Sequence, residues 1–400
     1  MEHSLEKDLL GNKMGTRISI VNANDYSSIP EAVIVAVKLI ENDLHFDLKS
    51  AEYILIKPNL ISSNRDACTQ PGFVEGVIDY LIKVGVEADK IKIGDSPGQE
   101  QKNAAFIAKK IGLHDLCLNR GVEFVDFEGE VPAKETIEES VIMKDFYVSK
   151  PVKDCDVLIN LPRLKTHAVT TITGAIKNYY GIIPGGLKAK KHVLGKNAEE
   201  FGEVLADNFS WVVKNKPNRL TVYDLHTIME GPKGHISGKM LRWNLILAGT
   251  DELALDLVAL EIGKFNGLKH VPHLKSIFNR GLGIGNPEDI EITGMSLSDA
   301  KKITTKFKPP AGFMTRTISC ITGNMVFKMY KKMPVLNPRI CKKCGDCSQI
   351  CPVNVIKFEK KHYPLFTVKG CISCLCCMEM CTYNAINTKY RGAMGLFDKT

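Results

Sequence analysis

Nine of the thirteen cysteines in this 400-residue chain fall between positions 341 and 381. Eight of them follow one spacing that is written twice: three cysteines separated by two residues, and a fourth after three more. The two runs are Cys341, Cys344, Cys347, Cys351 and Cys371, Cys374, Cys377, Cys381. Thiolates at this spacing hold iron–sulfur clusters, which transfer electrons one at a time. The pattern therefore predicts two [4Fe–4S] clusters and a redox role.

The spacing also predicts which cysteines share a cluster. In bacterial two-cluster ferredoxins, the fourth thiolate of each run binds the cluster of the other run. The ninth cysteine, Cys376, has no ligand role in this scheme, and we expect it to pack beside a cluster. Structural zinc, which also binds paired cysteines, is the alternative. The expected ligand sets are Cys341, Cys344, Cys347 and Cys381 for the first cluster, and Cys371, Cys374, Cys377 and Cys351 for the second.

The excess positive charge of the chain lies in the same region. The formal net charge is +8, and residues 331–400 alone contain twelve Lys or Arg against four Asp or Glu. One interpretation is that these cations balance the negative clusters. The other is a basic docking face for an acidic electron donor or acceptor protein, or for a membrane surface.

Several classes of protein are disfavoured by what the sequence lacks. The first fifteen residues are charged and have no apolar segment of the kind found in signal peptides. No apolar run is long enough to span a bilayer. No motif that combines basic and aromatic residues suggests nucleic-acid binding. Reduced cysteines then favour a cytoplasmic location.

Short apolar runs and amphipathic stretches alternate along the chain, and the strands and helices that they predict would position any site. This alternation predicts an α/β domain with a mostly parallel, doubly wound sheet, followed by a small α+β ferredoxin-like domain. The expected divisions are an extension (1–16), the α/β domain (17–308), a linker (309–336), the two-cluster domain (337–390) and a tail (391–400). The expected strands are 17–23, 53–59, 90–95, 122–127, 156–161, 220–225 and 244–249, and the expected helices are 30–43, 72–85, 101–112, 198–214 and 251–264.

Polar residues collect after the predicted strands, where a doubly wound sheet binds its ligands. Lys and Arg suit a carboxylate or phosphate, and His, Asp or Lys can carry a proton. Each motif also has a purely structural interpretation, as a turn, a strand end or a solvated loop. The catalytic candidates are His167, Lys165, Asp95 and Lys177. The candidates for binding a small anionic ligand are Lys57, Asn59, Ser96, Asn160, Arg163, Thr166 and Asp224.

Six short motifs carry most of these polar residues. They are 56–60 (IKPNL), 94–98 (GDSPG), 160–167 (NLPRLKTH), 174–178 (GAIKN), Asp224 with 230–232 (EGP), and 254–256 (ALD). Taken together, these motifs resemble the DUF362 family over roughly residues 50–265. The resemblance implies an iron–sulfur protein of anaerobes, and a ferredoxin-like C-terminus is a common extension in that family. The Lys-Pro and Gly-Asp motifs are also similar to those of the lactate racemase family, which we take as an analogy of fold.

Three functions are compatible with these observations. The first is an iron–sulfur oxidoreductase that passes electrons through two clusters to a small anionic substrate at the strand ends. The second is an electron-transfer or binding protein without catalysis. The third is a redox-neutral isomerase or transferase with structural clusters. Neither an ATP-binding nor a dinucleotide-binding fingerprint is present.

Overall fold

The computed structural model describes residues 15–62, 64–97, 104–195, 197–231, 238–310, 331–367 and 369–391. Nearly all of the predicted N-terminal extension and tail, and most of the predicted linker, lie outside these ranges. The strands are β1 (Thr16–Asn22), β2 (Ile54–Lys57), β3 (Ile91–Asp95), β4 (Glu123–Asp126), β5 (Ala133–Thr136), β6 (Asp145–Val148), β7 (Val157–Asn160), β8 (Arg163–His167), β9 (Thr171–Thr173), β10 (Arg219–Glu230), β11 (Lys239–Gly249), β12 (Ile290–Gly294), β13 (Lys331–Leu336), β14 (Ile356–Lys357), β15 (Leu365–Phe366) and β16 (Ile386–Arg391).

Several helices begin after a residue whose side chain caps them. Ser28, Asn197 and Asp251 each accept a backbone N–H of the first turn that follows, which satisfies a donor that the helix itself cannot. The helices are α1 (Ile29–Lys38), α2 (Pro71–Lys83), α3 (Ala104–Ile111), α4 (Leu113–Arg120), α5 (Lys150–Asp154), α6 (Ala175–Asn178), α7 (Gly185–Lys191), α8 (Ala198–Asn215), α9 (Glu252–Ile262), α10 (Gly267–His270), α11 (Pro272–Asn279), α12 (Leu297–Ile303), α13 (Asp346–Gln349) and α14 (Cys376–Glu379).

One large sheet organises the α/β part of the chain. Its strand order is β12-β1-β11-β10-β7-β2-β3-β4, with β8 paired to β10 and β9 paired to β8. Strands β2, β3, β4, β7, β8 and β10 run parallel to one another. Strand β11 runs antiparallel to both of its neighbours, β1 and β10. The carboxyl ends of the parallel strands therefore meet along one edge of the sheet.

Successive strand residues point to opposite faces, and each face is covered by helices. Leu55 and Leu158 belong to one apolar core, whereas Ile54, Ile56 and Ile159 belong to the core on the other side. Strands buried on both faces have the nearly continuous apolar sequences from which we predicted them. The prediction of a mixed α/β fold with a mostly parallel sheet is confirmed.

One segment holds four of the eleven predicted site residues of the α/β part, namely Arg163, Lys165, Thr166 and His167. Residues 163–167 form strand β8 after β7, in place of the solvated loop that is one structural interpretation of this motif, and all five residues are buried. The sequence RLKTH has no apolar run or alternation, so periodicity could not reveal a strand whose polar side chains find their partners inside the protein.

The C-terminal unit, residues 331–391, is built from two similar halves. Each half has a cysteine run beside a one-turn helix, α13 or α14, and β13 pairs antiparallel with β16 along the whole of both strands. Left-handed backbone recurs thirty residues apart, at Lys343 and Ser373 and again at Asn354 and Asn384. Because β13 pairs with β16, residues 331–336 belong to this unit and not to the predicted linker.

Candidate functional site

A cavity opens at the carboxyl ends of β2, β3 and β8. It holds about 800 Å³ of empty space, its open mouth included. Most of the predicted catalytic and binding residues therefore meet at one place. The predicted residues that line it are Lys57, Asn59, Asp95, Ser96, Lys165, His167 and Lys177.

A buried ion pair forms part of the cavity floor. Lys57 ends β2 and Asp95 ends β3, and Lys57 Nζ lies 2.7 Å from Asp95 Oδ1. The other carboxylate oxygen, Oδ2, accepts the backbone N–H of Leu60 at 2.7 Å. Burial lowers the pKa of Lys57, and the Asp95 carboxylate opposes that shift. The pair fixes both side chains at the ends of neighbouring strands.

Lys165 begins a chain of oriented amides. Its Nζ donates to Asn59 Oδ1 and to the carbonyl of Ala67, the latter at 2.7 Å. Asn59 Nδ2 then donates to Asn178 Oδ1 at 2.9 Å, and Asn178 Nδ2 donates to Asn160 Oδ1 at 2.7 Å. Because Lys165 is only a donor, it fixes which way each amide in the chain is turned.

Two lysines of the cavity have unusually acidic ammonium groups. Burial lowers the pKa of Lys165 to about 7, and burial lowers the pKa of Lys188 to about 8. Taking a charged amine out of water disfavours its protonated form. Both amines can therefore bind an anion or exchange a proton near neutral pH.

Ser96 attaches helix α7 to the end of β3. The backbone N–H of Gly185 donates to Ser96 Oγ at 2.8 Å, and Ser96 Oγ donates to Glu128 Oε1 at 2.9 Å. Lys188 Nζ donates to the backbone carbonyl of Ser96. These bonds hold the first turn of α7 against the cavity.

His167 is held in one tautomer by the backbone that follows it. Its Nδ1 accepts the N–H groups of Val169 and Thr170, both at 3.2 Å. A ring nitrogen that accepts cannot carry the proton of the neutral imidazole, so that proton is on Nε2. His167 lines the cavity in this state, and proton transfer by His167 stays a prediction.

Lys177 is positioned by a carboxylate beneath helix α6. Asp256 Oδ1 and Oδ2 accept the backbone N–H groups of Ala175 and Ile176 at 2.7 and 3.1 Å. Burial raises the pKa of Asp256 to about 6. A Cβ at Gly174 would overlap Asp256 Oδ1. The Gly174 and Asp256 motifs of the sequence therefore place the helix that carries Lys177.

Four predicted ligand-binding residues do not line the cavity, and ligand contact stays a prediction for them. Arg163 donates from Nε to the carbonyl of Thr227 at 2.8 Å, and the same atom lies 3.4 Å from Asp224 Oδ2. Thr166 Oγ1 donates to the carbonyl of Gly231 at 2.7 Å. Asn160 ends the amide chain described above. In the structure all four support the loops and strands around the cavity.

The eight patterned cysteines surround two further cavities in the C-terminal unit. These hold about 330 and 530 Å³ of empty space, open solvent included. Backbone N–H groups point at two of the sulfurs, from Lys343 to Cys341 Sγ at 3.4 Å and from Ala385 to Cys381 Sγ at 3.2 Å. The smaller cavity is lined by Cys341, Cys344, Cys347 and Cys381, and the larger by Cys351, Cys371, Cys374 and Cys377.

These two groups coincide with the ligand sets that the crossed ferredoxin scheme predicts. Four thiols around a space of this size have the donor type and the arrangement that a four-iron cluster needs. Within the described residues, no group of three or more His, Cys, Asp or Glu side chains could hold a single metal ion. The four thiols around each cavity have the donor type of a four-iron cluster, whose binding remains a prediction.

The C-terminal unit also covers the strand-end cavity. Ile350, Cys376 and Met380 line the same space as Lys57 and Lys165. These three residues pack together, with Cys374 against them. The ninth cysteine is thus next to a predicted cluster ligand, as expected, and it also forms part of the cavity wall. The sequence carried no signal for this second position, because it depends on how two distant parts of the chain pack.

Further lining residues were not among the predicted site residues. Lys188 lies in the sequence KAKK (188–191), and the three lysines of this stretch were the signal that could have found it. Tyr180 donates from its hydroxyl to the carbonyl of Lys188 at 2.9 Å. His192 stacks on Phe201 with ring centroids 4.2 Å apart. Tyr180 and His192 form an aromatic side of the cavity.

Fold and site together define an α/β protein with a strand-end cavity that is covered by a cysteine-rich unit. The family model described as "Domain of unknown function (DUF362)" matches residues 54–261. The chain belongs to this family. The match includes every predicted site residue of the α/β part and ends before the cysteine runs.

Other comparisons give one curated relative and distant structural neighbours. The chain is 31% identical over 250 residues to the thylakoid-associated protein sll1697 of Synechocystis sp., across 62% of this chain and 72% of the relative. A lactate racemase apoprotein from Thermoanaerobacterium thermosaccharolyticum aligns with TM-score 0.43 and 14% identity, across 63% of this chain and 58% of that one. A Thermotoga maritima protein aligns with TM-score 0.35 and 13% identity, across 50% and 51% of the two chains. No helix of the described residues is long and apolar enough to cross a membrane.

Proposed function

We propose that this protein is an iron–sulfur oxidoreductase that reduces a small anionic substrate in the strand-end cavity. The C-terminal unit is, in this proposal, a two-cluster ferredoxin module. Its repeated left-handed backbone positions and its two four-cysteine cavities support that assignment. When bound, the two [4Fe–4S] clusters supply electrons one at a time.

One observation carries the proposal: a single cavity is lined by residues of both parts of the chain. Lys57 and Lys165 line it from the sheet, while Cys376 lines it from the cysteine-rich unit. Cys376 packs against Cys374, a predicted cluster ligand. A molecule bound in this cavity would therefore lie beside the second cluster site with no further protein layer between them.

Different residues of the cavity bind the substrate and supply its proton. Lys188 and Lys165 attract the negative charge of the substrate. His167 lines the same cavity and is a further contact for the substrate. Lys165 also supplies a proton, because burial lowers its pKa to about 7 and its ammonium is a competent acid near neutral pH.

The reaction balances as a two-electron, two-proton reduction of an unsaturated bond. Two electrons arrive singly from a one-electron carrier protein through the C-terminal unit. One proton comes from the Lys165 ammonium and the second from solvent, which also returns the proton to Lys165. No hydride donor takes part, in line with the lack of a dinucleotide fingerprint in the sequence.

Electrons enter, in this proposal, at the side of the C-terminal unit that faces solvent. Cys344 is exposed, and the other seven predicted ligands are buried or half-buried. Lys342 beside it is exposed, and Lys343 lies over the ring of Tyr363, with Nζ 4.4 Å from the centroid. An acidic carrier protein suits this basic surface. Free thiols in two runs favour the cytoplasm as its location.

An anaerobic reoxidation assay tests the proposed function. The protein is reduced with dithionite, freed of excess reductant and mixed with a panel of unsaturated carboxylic acids while its visible absorbance is followed. We expect at least one acid to reoxidise the wild type at least tenfold faster than Lys165→Met. Lys190→Met is the matched control, because Lys190 is exposed on α7 and does not line the cavity. Equal rates for wild type and a folded Lys165→Met with every acid would refute the proposal.

A further inference from the structure

The strand-end cavity has two walls of opposite chemistry. The sheet side presents the ammonium groups of Lys57, Lys165, Lys177 and Lys188 together with one carboxylate, Asp95. The side formed by the C-terminal unit presents Ile350, Cys376 and Met380, a thiol and two apolar side chains. A ligand that satisfies both walls must itself have two different ends.

The polar wall has positive charge that the protein compensates only in part. Asp95 pairs with Lys57 at 2.7 Å. The hydrogen bonds of Lys165 and Lys188 instead go to neutral oxygens, those of Asn59, Ala67, Ser96 and Pro97. The carboxylates of Asp95 and Glu128 also act on Lys188 through their charge. Buried charge is costly unless an opposite charge accompanies it. An oxyanion at this wall would supply that charge and would stabilise both ammonium groups.

The opposite wall suits a flat, apolar group. Ile350, Cys376 and Met380 pack as one buried cluster. Tyr180 and His192 line the same cavity, with ring centroids 5.9 Å apart and ring planes perpendicular to each other. Burial lowers the pKa of His192 to about 3, so this ring is uncharged at neutral pH. Sulfur and aromatic side chains are favourable neighbours for an unsaturated group.

We infer that the cavity binds an amphiphilic organic acid, with its oxyanion at Lys165 and Lys188 and a planar unsaturated segment against Ile350, Cys376 and Met380. The inferred ligand is the substrate class of the proposed function. The inference depends on that function only where it assigns the electron acceptor. The unsaturated segment would be the electron acceptor, because it lies on the side of Cys374. Binding itself needs no electron transfer and can be measured separately.

Isothermal titration of the purified holoprotein with matched probes tests the inference. Cinnamate has both ends, acetate has only the carboxylate, and cinnamyl alcohol has only the unsaturated segment. We expect cinnamate to bind at least about tenfold more tightly than either, which corresponds to one charge-assisted hydrogen bond or two buried carbons. Phenyl phosphate and inorganic phosphate, run in parallel, decide whether the head is a carboxylate or a phosphate. Equal affinities of cinnamate and acetate, or of cinnamate and the alcohol, would overturn the inference.

Two variants test the polar wall and the apolar wall of the cavity independently. Lys188→Met should weaken cinnamate and acetate alike by about tenfold, whereas Ile350→Ala should weaken cinnamate by about tenfold and leave acetate unchanged. The controls are Lys190→Met on the same helix and Ile340→Ala, an exposed position of the same unit. Visible absorbance and thermal unfolding establish that each variant is folded. An Ile350→Ala variant that binds cinnamate as well as the wild type does would contradict the assigned apolar wall.

If a variant does not fold, the pH dependence of the wild type provides the test. Affinity for cinnamate should fall as the pH rises from about 6 to 9, because Lys165 and Lys188, with pKa values of about 7 and 8, lose their positive charge in this range. The charged groups that act on these two amines are Asp95, Glu128, Lys57, Arg163 and Lys177. Affinity for the alcohol should stay constant, and a constant affinity for cinnamate would contradict the inference. Failure of the inference and of the proposed function can be told apart. Selective cinnamate binding without reoxidation of reduced protein would refute the function alone. Reoxidation by neutral compounds without preference for acids would refute the inference alone.

Discussion

Lys57 Nζ and Asp95 Oδ1 lie 2.7 Å apart at the ends of two neighbouring parallel strands, and both side chains are almost fully buried. Gly181 packs directly above them, since a Cβ at that position would be 2.7 Å from each of these two atoms. The ion pair is therefore enclosed by the sheet on one side and by a glycine turn on the other. The pair thereby holds in place the two side chains that form part of the cavity floor.

Removing one member of this pair should destabilise the protein strongly. We expect Lys57→Met to lower the free energy of unfolding by about 3–5 kcal/mol, because it leaves the Asp95 carboxylate buried without its counter-charge. Lys92→Met on β3 is the control. Its partner Glu123 is 2.9 Å away and both are partly exposed, so its loss should cost less than about 1 kcal/mol. Urea denaturation followed by circular dichroism measures both, and similar losses would contradict the structural role of the pair.

The glycine above the pair should not tolerate a methyl group. Gly181→Ala should lower the free energy of unfolding by about 1–3 kcal/mol, because the new Cβ forces Lys57 and Asp95 apart. Gly72→Ala in α2 is the control, since a Cβ there meets Ile29 at an ordinary 3.5 Å. It should be neutral or stabilising, because alanine favours a helix over glycine. A Gly181→Ala variant as stable as wild type would show that the turn does not enclose the pair.

Lys165 should make stability depend on pH. Burial lowers the pKa of Lys165 from 10.5 to about 7, so between these values the unfolded chain binds more protons than the folded one. The free energy of unfolding attributable to Lys165 should therefore rise from pH 7 to pH 10.5. Cys68, Arg163, Lys177 and Asp95 also act on this amine, and the comparison with Lys165→Met keeps them constant. If Lys165 instead keeps its ordinary pKa in the folded protein, the difference in the free energy of unfolding between wild type and Lys165→Met should not change over this pH range, which would contradict the prediction.

The basic surface near Cys344 should control electron delivery from a protein but not from a small reductant. We expect Lys342→Glu combined with Lys343→Glu to slow reduction by an acidic one-electron carrier at least tenfold at low ionic strength, and high salt should reduce the difference. Reduction by dithionite should be unchanged. Stopped-flow absorbance measures both reactions. Lys389→Glu, an exposed position on β16, serves as a single charge-reversal control outside the two runs. Equal effects on the carrier and on dithionite would indicate damage to the cluster site instead of lost docking.

The sequence predicted the strands best where the buried side chains are apolar. Strands such as β2 and β7 have continuous apolar runs, because both faces of the sheet are covered, and their ends located Lys57 and Asn160 correctly at the sheet edge. Strand β8 could not be predicted in this way, since its buried residues are polar and gain their stability from hydrogen bonds to distant loops.

The composition of the cavity was predictable only in part, for a related reason. Arg163 and Asp224 have the residue types of a ligand site, yet the structure uses them as a buried pair. Conversely, Ile350 and Met380 have no chemical signature, and only the packing of the C-terminal unit on the sheet edge places them in the cavity. Spacing reveals which residues are able to bind a group, whereas tertiary packing decides which of them face it.

Iron and acid-labile sulfide, measured on anaerobically purified protein, test the central claim most directly. The account predicts about eight of each per chain for the wild type. Cys374→Ala should retain about four of each, because it removes a ligand of one cluster. Cys376→Ala, two residues away, should retain about eight, because Cys376 faces the strand-end cavity and not a cluster. Zinc without sulfide in the wild type, or an equal loss of iron from both variants, would contradict the account.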